Sequence, residues 1–531
     1  MDRRTFLGGT AAAGVTVTAL TALTATACDT GSTSGAGGSK GGGTATATAS
    51  SSGRTATPPT SADWKALGDS LDGTLVLPDD TDWQTASQLY NTRFDDLAPD
   101  AVAYVAHPED IGTVLSYARA HGVRPAIRNG GHSYAGWSSG DGRLIVDVSK
   151  LDAVRASGGA AVVGAGAKLI DVYRTLAAKG VTVPAGSCPT VGISGLTLGG
   201  GHGVVSRAYG LTCDSLTGAS IVTADGRQLT ADADENPDLF WALRGAGNGN
   251  FGVVTELRFR THTAPQAVTG YLTWPWAQAA EVFLAWQEWG PDQPDEIWSS
   301  LHLDRKAGGA PTVSVSAFSL GGYGELQNAV DRLADRAGGP ASGVSLNRHG
   351  YEESMEAYAG CSSYAGAECR LPGSTPGRSA EGELLRETYA AASDFYDRSL
   401  SEAGVRTLLA QLDKLGEVAD GDGSIAFTAL GGAVNRVDPT ATAFVHRRSR
   451  MLAQYLVSWP SGGSEGHIPR NWLSAAHEAM RPYASGAAYQ NYADPELKNW
   501  RSAYYGDAAA RLAKVKKRYD PERLFSYAQG V

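Results

Sequence analysis

The hydrophobic pattern of residues 101–178 alternates between short β-rich runs and amphipathic stretches. An apolar run at 101–105 predicts a strand, and residues 107–121 predict a helix with proline and acidic residues in its first turn. Gly122 ends this helix, and a second strand is expected at 123–127, so the three elements form a βαβ-like unit. The same pattern predicts strands at 144–148 and 161–165 and a helix at 168–178.

A second αβ passage covers residues 219–261, and the pattern changes after about residue 264. Asp225-Gly226 predicts a tight turn after a strand at 219–223, and Pro237 begins a helix to 244 that precedes a strand at 251–259. Tryptophans become frequent beyond residue 264, in a region that reads as a separate α+β domain with an antiparallel sheet. The remaining predicted elements are helices at 278–289, 324–336 and 507–519 and β-rich runs at 312–319, 424–430 and 451–459.

The first 61 residues predict an export signal and a tether. Arg3 and Arg4 precede a threonine-rich apolar stretch at 11–27 that ends in a small-residue cleavage pattern, which resembles a twin-arginine signal rather than a membrane-spanning helix. Such a signal implies export of a protein that is already folded. Cys28 follows Ala-Thr-Ala as in a lipobox, so either a lipid anchor at Cys28 or simple secretion is expected. Residues 29–61 are rich in Gly, Ser, Thr and Ala and predict a flexible linker.

Composition narrows the classes of function. The 531 residues carry 45 Lys+Arg against 55 Asp+Glu, a net charge of −10, and this balance argues against a nucleic-acid binder. No segment after the signal reaches about 18 apolar residues, so no membrane span is expected in the mature protein. The cysteines and histidines show no metal-ligand spacing, so no metal site is expected. Cys361 and Cys369 close a short loop and can form a disulfide outside the cytoplasm.

Three glycine-rich segments carry the candidate chemistry. Residues 128–136, Arg-Asn-Gly-Gly-His-Ser-Tyr-Ala-Gly, follow a predicted strand, where adjacent glycines let the backbone turn tightly against a ligand. Residues 186–203 contain seven glycines in eighteen positions, which is typical of close backbone approach to a large flat ligand. Neither the Gly-Lys-Ser/Thr of a P-loop nor the G-x-G-x-x-G of a Rossmann fingerprint is present. Residues 238–255 form the third segment.

Together these segments resemble the berberine-bridge-enzyme-like FAD-linked oxidases of the vanillyl-alcohol-oxidase superfamily, from about residue 83 to the C-terminus. The resemblance is carried by R-x-G-G-H-S around His132, G-x-C-P-T-V-G around Cys188, G-G-G-x-G at 199–203, D-L-F-W-A-x-R-G from 238, F-G-V-V-T from 251, Y-Q-N-Y at 489–492 and R-L-x-x-V-K at 511–516. It implies an α+β, two-domain PCMH-type FAD-binding fold with an inserted α+β substrate domain that carries an antiparallel sheet. The expected boundaries are 1–28 for the signal, 29–61 for the linker, 62–264 for the FAD-binding domain, 265–487 for the substrate-binding domain and 488–531 for a C-terminal segment that returns to the FAD domain.

The resemblance also implies FAD held by two covalent bonds. His132 matches the histidine that bonds to the flavin 8α-methyl group, and Cys188 matches the cysteine that bonds to flavin C6. Two alternatives stay open for Cys188, a buried core cysteine or a flavin linked through histidine alone. Val191 matches the position that admits or blocks dioxygen, and a valine there points to an oxidase. The other residues expected to contact FAD are Arg128, Asn129, Gly130, Gly131, Ser133, Gly192, Gly195, Gly200, Gly201, Gly203, Gly252, Val254 and Asn491.

The catalytic candidates are Tyr492, Tyr489 and Gln454. Tyr492 matches the family tyrosine that removes the substrate hydroxyl proton, and Tyr489 either assists it or packs beside it. Gln454 lies on the strand where some members carry a carboxylate base. By alternation, positions 452, 454 and 456 face the substrate and include no acid, so a second base is in doubt. His202 replaces an aromatic residue often found in the G-G-G-Y-G run and is expected to be structural.

The expected function is oxidation of an alcohol outside the cytoplasm, with hydride transfer to flavin and reduction of dioxygen to hydrogen peroxide. Double attachment goes with open pockets in the family, which favours an oligosaccharide or a glycosylated natural product as substrate. Two alternatives remain. One is oxidative cyclisation or dehydrogenation of a natural product, and the other is a non-catalytic surface lipoprotein with a vestigial flavin fold.

Overall fold

A computed structural model describes residues 57–416, 421–461 and 466–531. The predicted export signal, Cys28 and the linker up to residue 56 lie outside the described residues. Among the helices of the described ranges, none is both long enough and apolar enough to cross a membrane.

The strands fall into two regions, one on each side of residues 264–266. They are β1 Thr74–Val76, β2 Ala101–Tyr104, β3 Arg124–Arg128, β4 Arg143–Asp147, β5 Val154–Ser157, β6 Ala160–Gly164, β7 Val181–Thr182, β8 Leu216–Val222, β9 Gln228–Asp232, β10 Val253–Arg260, β11 His262–Thr263, β12 Ala267–Trp274, β13 Ile297–Arg305, β14 Thr312–Ser319, β15 Gly343–His349, β16 Tyr389–Tyr396, β17 Asp422–Ala429 and β18 Met451–Ser458.

Helices cover the sheets and close the chain. They are α1 Ser61–Asp69, α2 Trp83–Ser87, α3 Pro108–His121, α4 Leu169–Ala177, α5 Ile193–Leu198, α6 Ser206–Tyr209, α7 Thr212–Ser215, α8 Pro237–Ala246, α9 Ala279–Trp289, α10 Tyr323–Arg336, α11 Tyr351–Tyr358, α12 Glu402–Leu415, α13 Ala433–Arg436, α14 His467–Met480, α15 Trp500–Tyr505 and α16 Ala509–Tyr519. Short 3-10 helices accompany them at Thr92–Phe94, Trp276–Gln278, Arg481–Tyr483 and Gly506–Ala508.

The first region is built on two main sheets. One has the order β1-β2-β4-β3, in which β2 and β3 each pair with β4 in parallel. The other has the order β5-β6-β10-β8-β9 and is antiparallel throughout. Helix α3 buries Ile111, Val114 and Leu115 in the core that these sheets share. The parallel strands end near Arg128, so the glycine loop that follows β3 emerges at the edge of this core.

The second region is a seven-stranded antiparallel sheet of order β15-β12-β14-β13-β17-β18-β16. Helices α9, α12 and α14 cover one of its faces, where Leu301 and Leu303 of β13 join the buried cluster. The alternate residues of β13, Ser300 and His302, lie on the opposite face and line a cleft. Period-two alternation therefore splits this strand between a packed core and a polar wall.

The C-terminal segment packs against the first region. Helix α16 contacts α8, and Arg518 and Tyr519 each donate to the Asp238 carboxylate at 2.9 Å. The buried Lys516 ammonium donates to the backbone oxygen of Asn250 at 2.5 Å and to Asp520 at 2.8 Å. These contacts bring residues 488–531 alongside the glycine-rich segments of the first region.

The expected fold class is confirmed, and the strands and helices predicted between residues 101 and 178 match the structure to within one residue at each end. The predicted βαβ-like unit corresponds to β2, α3 and β3, and strand β4 lies between its two strands in the sheet. In the second region β12, β13, β15 and β16 were not predicted. All eight residues of β16 are buried, so this strand shows no apolar–polar alternation in sequence. In β13 the apolar–polar alternation is confined to residues 300–304.

Two side-chain groups outside the cleft bear on the sequence predictions. Cys361 and Cys369 form a disulfide, which confirms that pairing.

Asp72, His107 and Asp110 cluster at the start of α3. The Asp110 carboxylate accepts backbone N–H groups of Asp72, Gly73 and Ala106, which makes it a local anchor for this loop.

Candidate active site

One cleft collects most of the residues that the sequence proposes for the site. Its walls come from the loop after β3, residues 186–204, residues 248–254, the open face of the seven-stranded sheet and the C-terminal segment. Gly200 and Gly201 do not line it. The predicted residues that do are Arg128, Asn129, Gly130, Gly131, His132, Ser133, Cys188, Val191, Gly192, Gly195, Gly203, Gly252, Val254, Gln454, Tyr489, Asn491 and Tyr492.

The histidine loop and the cysteine loop touch each other. A Cβ atom placed on Gly130 would lie 2.5 Å from the carbonyl oxygen of Thr190 and 2.6 Å from the nitrogen of Gly192. Glycine is therefore required at Gly130 for the two backbones to approach so closely. The Nε2 atom of His132 lies 2.8 Å from the Oγ1 atom of Thr190, two positions after Cys188. Both predicted attachment residues thus belong to one contiguous wall.

His132 is held as a neutral imidazole. Its ring stacks on Tyr90 with centroids 4.0 Å apart and an interplanar angle of 18°. Burial, with a smaller contribution from the positive charge of Lys168, lowers the pKa of His132 to about 3. A neutral imidazole keeps a lone pair, which nucleophilic attack on an electron-poor ring requires.

Lys168 is a buried cation that belongs to none of the predicted site motifs. Its ammonium group donates to Asn129 Oδ1 at 2.6 Å, Ser149 Oγ at 3.0 Å and the Gly166 carbonyl oxygen at 3.0 Å. Burial lowers the pKa of Lys168 to about 8. The sequence signal is weak, because a lysine before an amphipathic helix is usually solvated. In the structure it fixes the side chain of Asn129.

Arg128 forms a buried ion pair at the end of β3. Its Nε atom lies 2.5 Å from an Asp147 carboxylate oxygen, and both side chains are almost fully buried. The Tyr104 hydroxyl accepts from the same guanidinium at 3.4 Å. Arg128 therefore anchors the strand end from which the histidine loop departs.

Tyr489 stabilises the glycine run at 199–203. Its hydroxyl accepts the backbone N–H of Gly201 at 2.9 Å and the side-chain amide of Asn491 at 2.9 Å. Asn491 also donates to the Leu196 carbonyl oxygen at 2.9 Å. Gly200 and Gly201 therefore lie behind the residues that line the cleft, where they contact Tyr489.

Tyr492 presents a different environment three residues later. Its hydroxyl lies 2.7 Å from His202 Nε2, and its ring stacks on Tyr134 with centroids 5.2 Å apart and an angle of 12°. Burial, with the neighbouring hydroxyls of Tyr134 and Tyr489, raises the pKa of Tyr492 well above its usual value. The phenol is therefore protonated at neutral pH.

Gln454 extends this cluster along β18. Its side-chain amide donates to the Tyr134 hydroxyl at 2.8 Å. Leu452 also lines the cleft, whereas Leu456 packs with Tyr90 and Tyr389 in a small buried cluster. The acid on the neighbouring strand, Asp394, is turned toward Arg481 and His477.

The sheet face opposite the loops is polar. Ser300, His302, Ser316 and Thr428 line the cleft there beside Trp298. His302 Nε2 lies 2.7 Å from Ser300 Oγ, and its buried Nδ1 has no hydrogen-bond partner among the described residues. Burial lowers the pKa of His302 to about 4. No sequence motif indicates this wall, and β13 was not predicted.

The cleft residues fit an FAD molecule. Glycine backbones and the small residues Ser133 and Val254 line the first-region side, as a large flat ring system requires. Buried side-chain oxygens of Asn248, Gln490 and Gln529 line the same cleft without a hydrogen-bond partner in the described part of the chain. Such atoms are acceptors for ligand N–H and O–H groups.

Comparison with family models assigns two parts of the chain. The model described as "FAD binding domain" matches residues 99–232, and the model described as "Berberine and berberine like" matches residues 488–531. Both matches include residues of the cleft, since they contain His132, Cys188 and Tyr492.

Relatives match over most of their length. The chain is 32% identical over 467 residues to the uncharacterized FAD-linked oxidoreductase YgaK of Bacillus subtilis (strain 168), covering 87% of this chain and 97% of that protein. It is 31% identical over 484 residues to a xylooligosaccharide oxidase of Thermothelomyces thermophilus, covering 85% and 90%. The solved structure of Physcomitrella patens BBE-like 1 superposes with a TM-score of 0.78 at 28% identity, covering 87% of this chain and 98% of that one.

Proposed function

The chain belongs to the berberine-bridge-enzyme-like family of FAD-linked oxidoreductases, and from this premise we propose that it oxidises a CH–OH group of an oligosaccharide or glycosylated metabolite, with dioxygen as electron acceptor. The observation that carries the proposal is the convergence of His132, Cys188 and Tyr492 on one cleft whose opposite wall is polar. A carbohydrate offers many hydroxyls, and Ser300, His302, Ser316 and Thr428 supply matching donors and acceptors. A relative named as a xylooligosaccharide oxidase supports the same substrate class.

The chain's own residues have separable tasks in this reaction. FAD, when bound, would supply the acceptor for the hydride that leaves the substrate carbon, and dioxygen would take up the electron pair with two protons to give hydrogen peroxide. Tyr492 receives the proton of the substrate hydroxyl. Gln454 fixes the Tyr134 hydroxyl, and Tyr134 holds the Tyr492 ring by stacking. Tyr489 and Asn491 hold the glycine run in place.

Covalent attachment through His132 and Cys188 is part of the proposal. The neutral imidazole of His132 supports its role as nucleophile. The alternative is a flavin linked through His132 alone. Peptide mapping of the denatured holoenzyme separates the two: flavin mass on both the His132 peptide and the Cys188 peptide is expected. A Cys188 peptide without flavin mass leaves a flavin linked through His132 alone.

Val191 supports the choice of dioxygen. It lines the cleft in the loop that follows Cys188, and its carbonyl oxygen accepts the backbone N–H of Leu169 at 3.0 Å, which fixes its position. Replacing Val191 with Leu should slow reoxidation of the reduced enzyme by dioxygen while leaving substrate-driven reduction unchanged. Reoxidation as fast as in the parent would count against a role in oxygen access.

Export through Arg3 and Arg4, with a lipid at Cys28, is proposed from the sequence. The double variant Arg3→Lys, Arg4→Lys should remain in the cytoplasm. Mass spectrometry of the exported protein tests the anchor, because a lipidated Cys28 at the new N-terminus adds the mass of the acyl groups. An unmodified N-terminus indicates secretion without an anchor.

The direct test is a panel of oligosaccharides with hydrogen peroxide as the readout. Xylo-, cello- and chito-oligosaccharides should each be offered to the purified holoenzyme, with Tyr492→Phe as the matched control. Peroxide from the parent and not from the variant supports the proposal. No peroxide from any sugar, together with flavin reduction by a non-sugar phenolic or alkaloid substrate, would favour oxidative cyclisation or dehydrogenation instead.

A further inference from the structure

The histidine inside the glycine run contacts the catalytic candidate directly. The rings of His202 and Tyr492 meet nearly at a right angle, with centroids 5.6 Å apart and an interplanar angle of 82°. The Nε2–hydroxyl distance is 2.7 Å, and His202 is the hydrogen-bond partner of that hydroxyl among the described residues. His202 Nδ1 is buried and has no partner in the same part of the chain. The contact with Tyr492 therefore sets which ring nitrogen can exchange a proton.

We propose that His202 is the proton acceptor for Tyr492, so that the two residues form a relay when the substrate is oxidised. This inference rests on the proposed function. The substrate O–H bond breaks and its proton passes to the Tyr492 oxygen, while the Tyr492 O–H bond breaks and that proton passes to His202 Nε2. The C–H bond breaks at the same time, and its electron pair leaves as hydride to bound FAD. The products are the carbonyl compound and an imidazolium, which releases its proton to solvent after turnover.

A relay is needed because the phenol starts protonated. A protonated Tyr492 can accept the substrate proton only if it gives up its own. Departure of the hydride makes the substrate hydroxyl strongly acidic, and this drives both protons toward the imidazole. The strand position Gln454, where some family members carry a carboxylate, offers no proton acceptor here. His202 supplies one from the opposite wall of the cleft.

The surroundings of His202 keep its imidazole neutral and able to accept. The titratable groups that face it are the phenols of Tyr489 and Tyr492 from the C-terminal segment, and Tyr134 lies behind Tyr492. None of these phenols is charged at neutral pH, because burial raises the pKa of each. Burial lowers the pKa of His202 to about 4, with no opposing effect from a charged neighbour in the described residues. Its Nε2 lone pair is therefore available to the phenol above pH 4.

The kinetic test uses the holoenzyme and the rate of FAD reduction without oxygen, measured against pH. The parent rate should be level at neutral pH and fall as the pH drops toward 4. In His202→Gln the side-chain amide can still hydrogen-bond but cannot take a proton, so the rate at pH 7 should fall about 100-fold and climb as pH rises. Substrate dissociation constants should stay within about threefold.

A packing control separates proton acceptance from support of the wall. His202→Tyr restores the aromatic residue that the family often has in this run. Its rate of FAD reduction at pH 7 should fall about as far below the parent rate as that of His202→Gln. A rate in His202→Tyr equal to that of the parent would overturn the relay. The relay would also be overturned if the rate of FAD reduction in His202→Gln were lower than in the parent but depended on pH in the same way, because that result indicates a merely structural role.

A second readout does not depend on turnover. In holoenzyme labelled with ¹⁵N-histidine, the resonance that His202→Gln removes identifies His202. We expect an unprotonated Nε2 that accepts a hydrogen bond, and we expect it to shift in Tyr492→Phe. A protonated Nε2 that donates to Tyr492 overturns the inference. If no oligosaccharide reduces the FAD, the proposed function fails, and the nitrogen spectrum still decides which atom of the pair holds the proton.

Discussion

The Nε2 atom of His132 lies 2.8 Å from the hydroxyl of Thr190, so the loop after β3 and the loop that carries Cys188 are joined by a side-chain contact. Stacking on Tyr90 and this hydrogen bond together fix the direction of the imidazole. A nucleophile reacts fastest when it is held in the attacking orientation. In the proposed attachment of the cofactor at His132, Thr190 is therefore a positioning residue.

Replacing Thr190 with Val should lower the fraction of enzyme that carries covalent flavin. Valine has nearly the same shape as threonine and removes only the hydroxyl, at a cost of about 1 kcal/mol in the free energy of unfolding. The measurement is flavin fluorescence of the denatured protein on a gel, relative to total protein. Thr190→Ser keeps the hydroxyl and serves as the control. Equal flavin content in Thr190→Val and the parent would contradict the positioning role.

The sequence identified the loops that form one side of the cleft because local motifs define them. His132, Cys188 and Gly192 lie in loops whose glycine spacing already indicates close approach of backbone to a ligand, and the structure brings these loops together. The pairing of His202 with Tyr492 was not predictable, since the two are 290 positions apart. Their contact depends on how the C-terminal segment returns to the first region. Sequence periodicity carries no information about that packing.

The Y-Q-N-Y motif shows the same limit on a smaller scale. The sequence names Tyr489 and Tyr492 together and cannot separate them, because both are aromatic residues of one irregular segment. The structure gives the Tyr489 hydroxyl two donors and leaves the Tyr492 hydroxyl beside a neutral imidazole. Their different partners predict different phenotypes.

Tyr489→Phe should destabilise the fold more than it slows the reaction. Loss of its hydroxyl leaves the buried Gly201 N–H without an acceptor, which costs about 1–3 kcal/mol in the free energy of unfolding. Tyr492→Phe should do the opposite: FAD reduction should slow by about 10²–10⁴-fold with little change in stability. Urea unfolding and anaerobic stopped-flow on both variants make the comparison. A Tyr489→Phe variant that is as stable as the parent but inactive would show that Tyr489 has the catalytic role, contrary to this assignment.

The glycines of the cleft should respond to alanine according to what surrounds them. At Gly130 an added Cβ meets backbone atoms of the cysteine loop at 2.5–2.6 Å, so Gly130→Ala should force the two loops apart and lower both stability and FAD content. Gly195, within α5, has no atom within 4 Å of an added Cβ and lines the cleft. Gly195→Ala should preserve or raise stability, by up to about 1 kcal/mol of helix propensity, and lower FAD content alone.

Thermal unfolding and the FAD-to-protein ratio of the two purified variants test this difference. The matched pair matters because both residues belong to glycine-rich segments and only their surroundings differ. Normal FAD content in Gly195→Ala would show that its side of α5 does not face the cofactor. Normal stability in Gly130→Ala would show that the loops have room to separate.

Lys168 predicts a pH dependence of stability. Burial lowers the pKa of Lys168 from 10.5 to about 8, so the folded protein releases this proton at lower pH than the unfolded chain does. Between these values the unfolded state binds more protons, and the free energy of unfolding contributed by Lys168 therefore rises as pH rises from 8 to 10.5. The gain is up to roughly 3 kcal/mol by linkage.

The measurement is the difference in unfolding free energy between the parent and Lys168→Met, obtained from urea titrations at several pH values between 7 and 10. Buried tyrosines with raised pKa values act in the opposite sense at the upper end, and they cancel in the difference because both proteins contain them. Lys150→Met, at an exposed lysine, is the control and should give a flat difference. A flat difference for Lys168→Met as well would mean that Lys168 keeps its proton in the folded state and that Asn129 is held by a charged partner throughout.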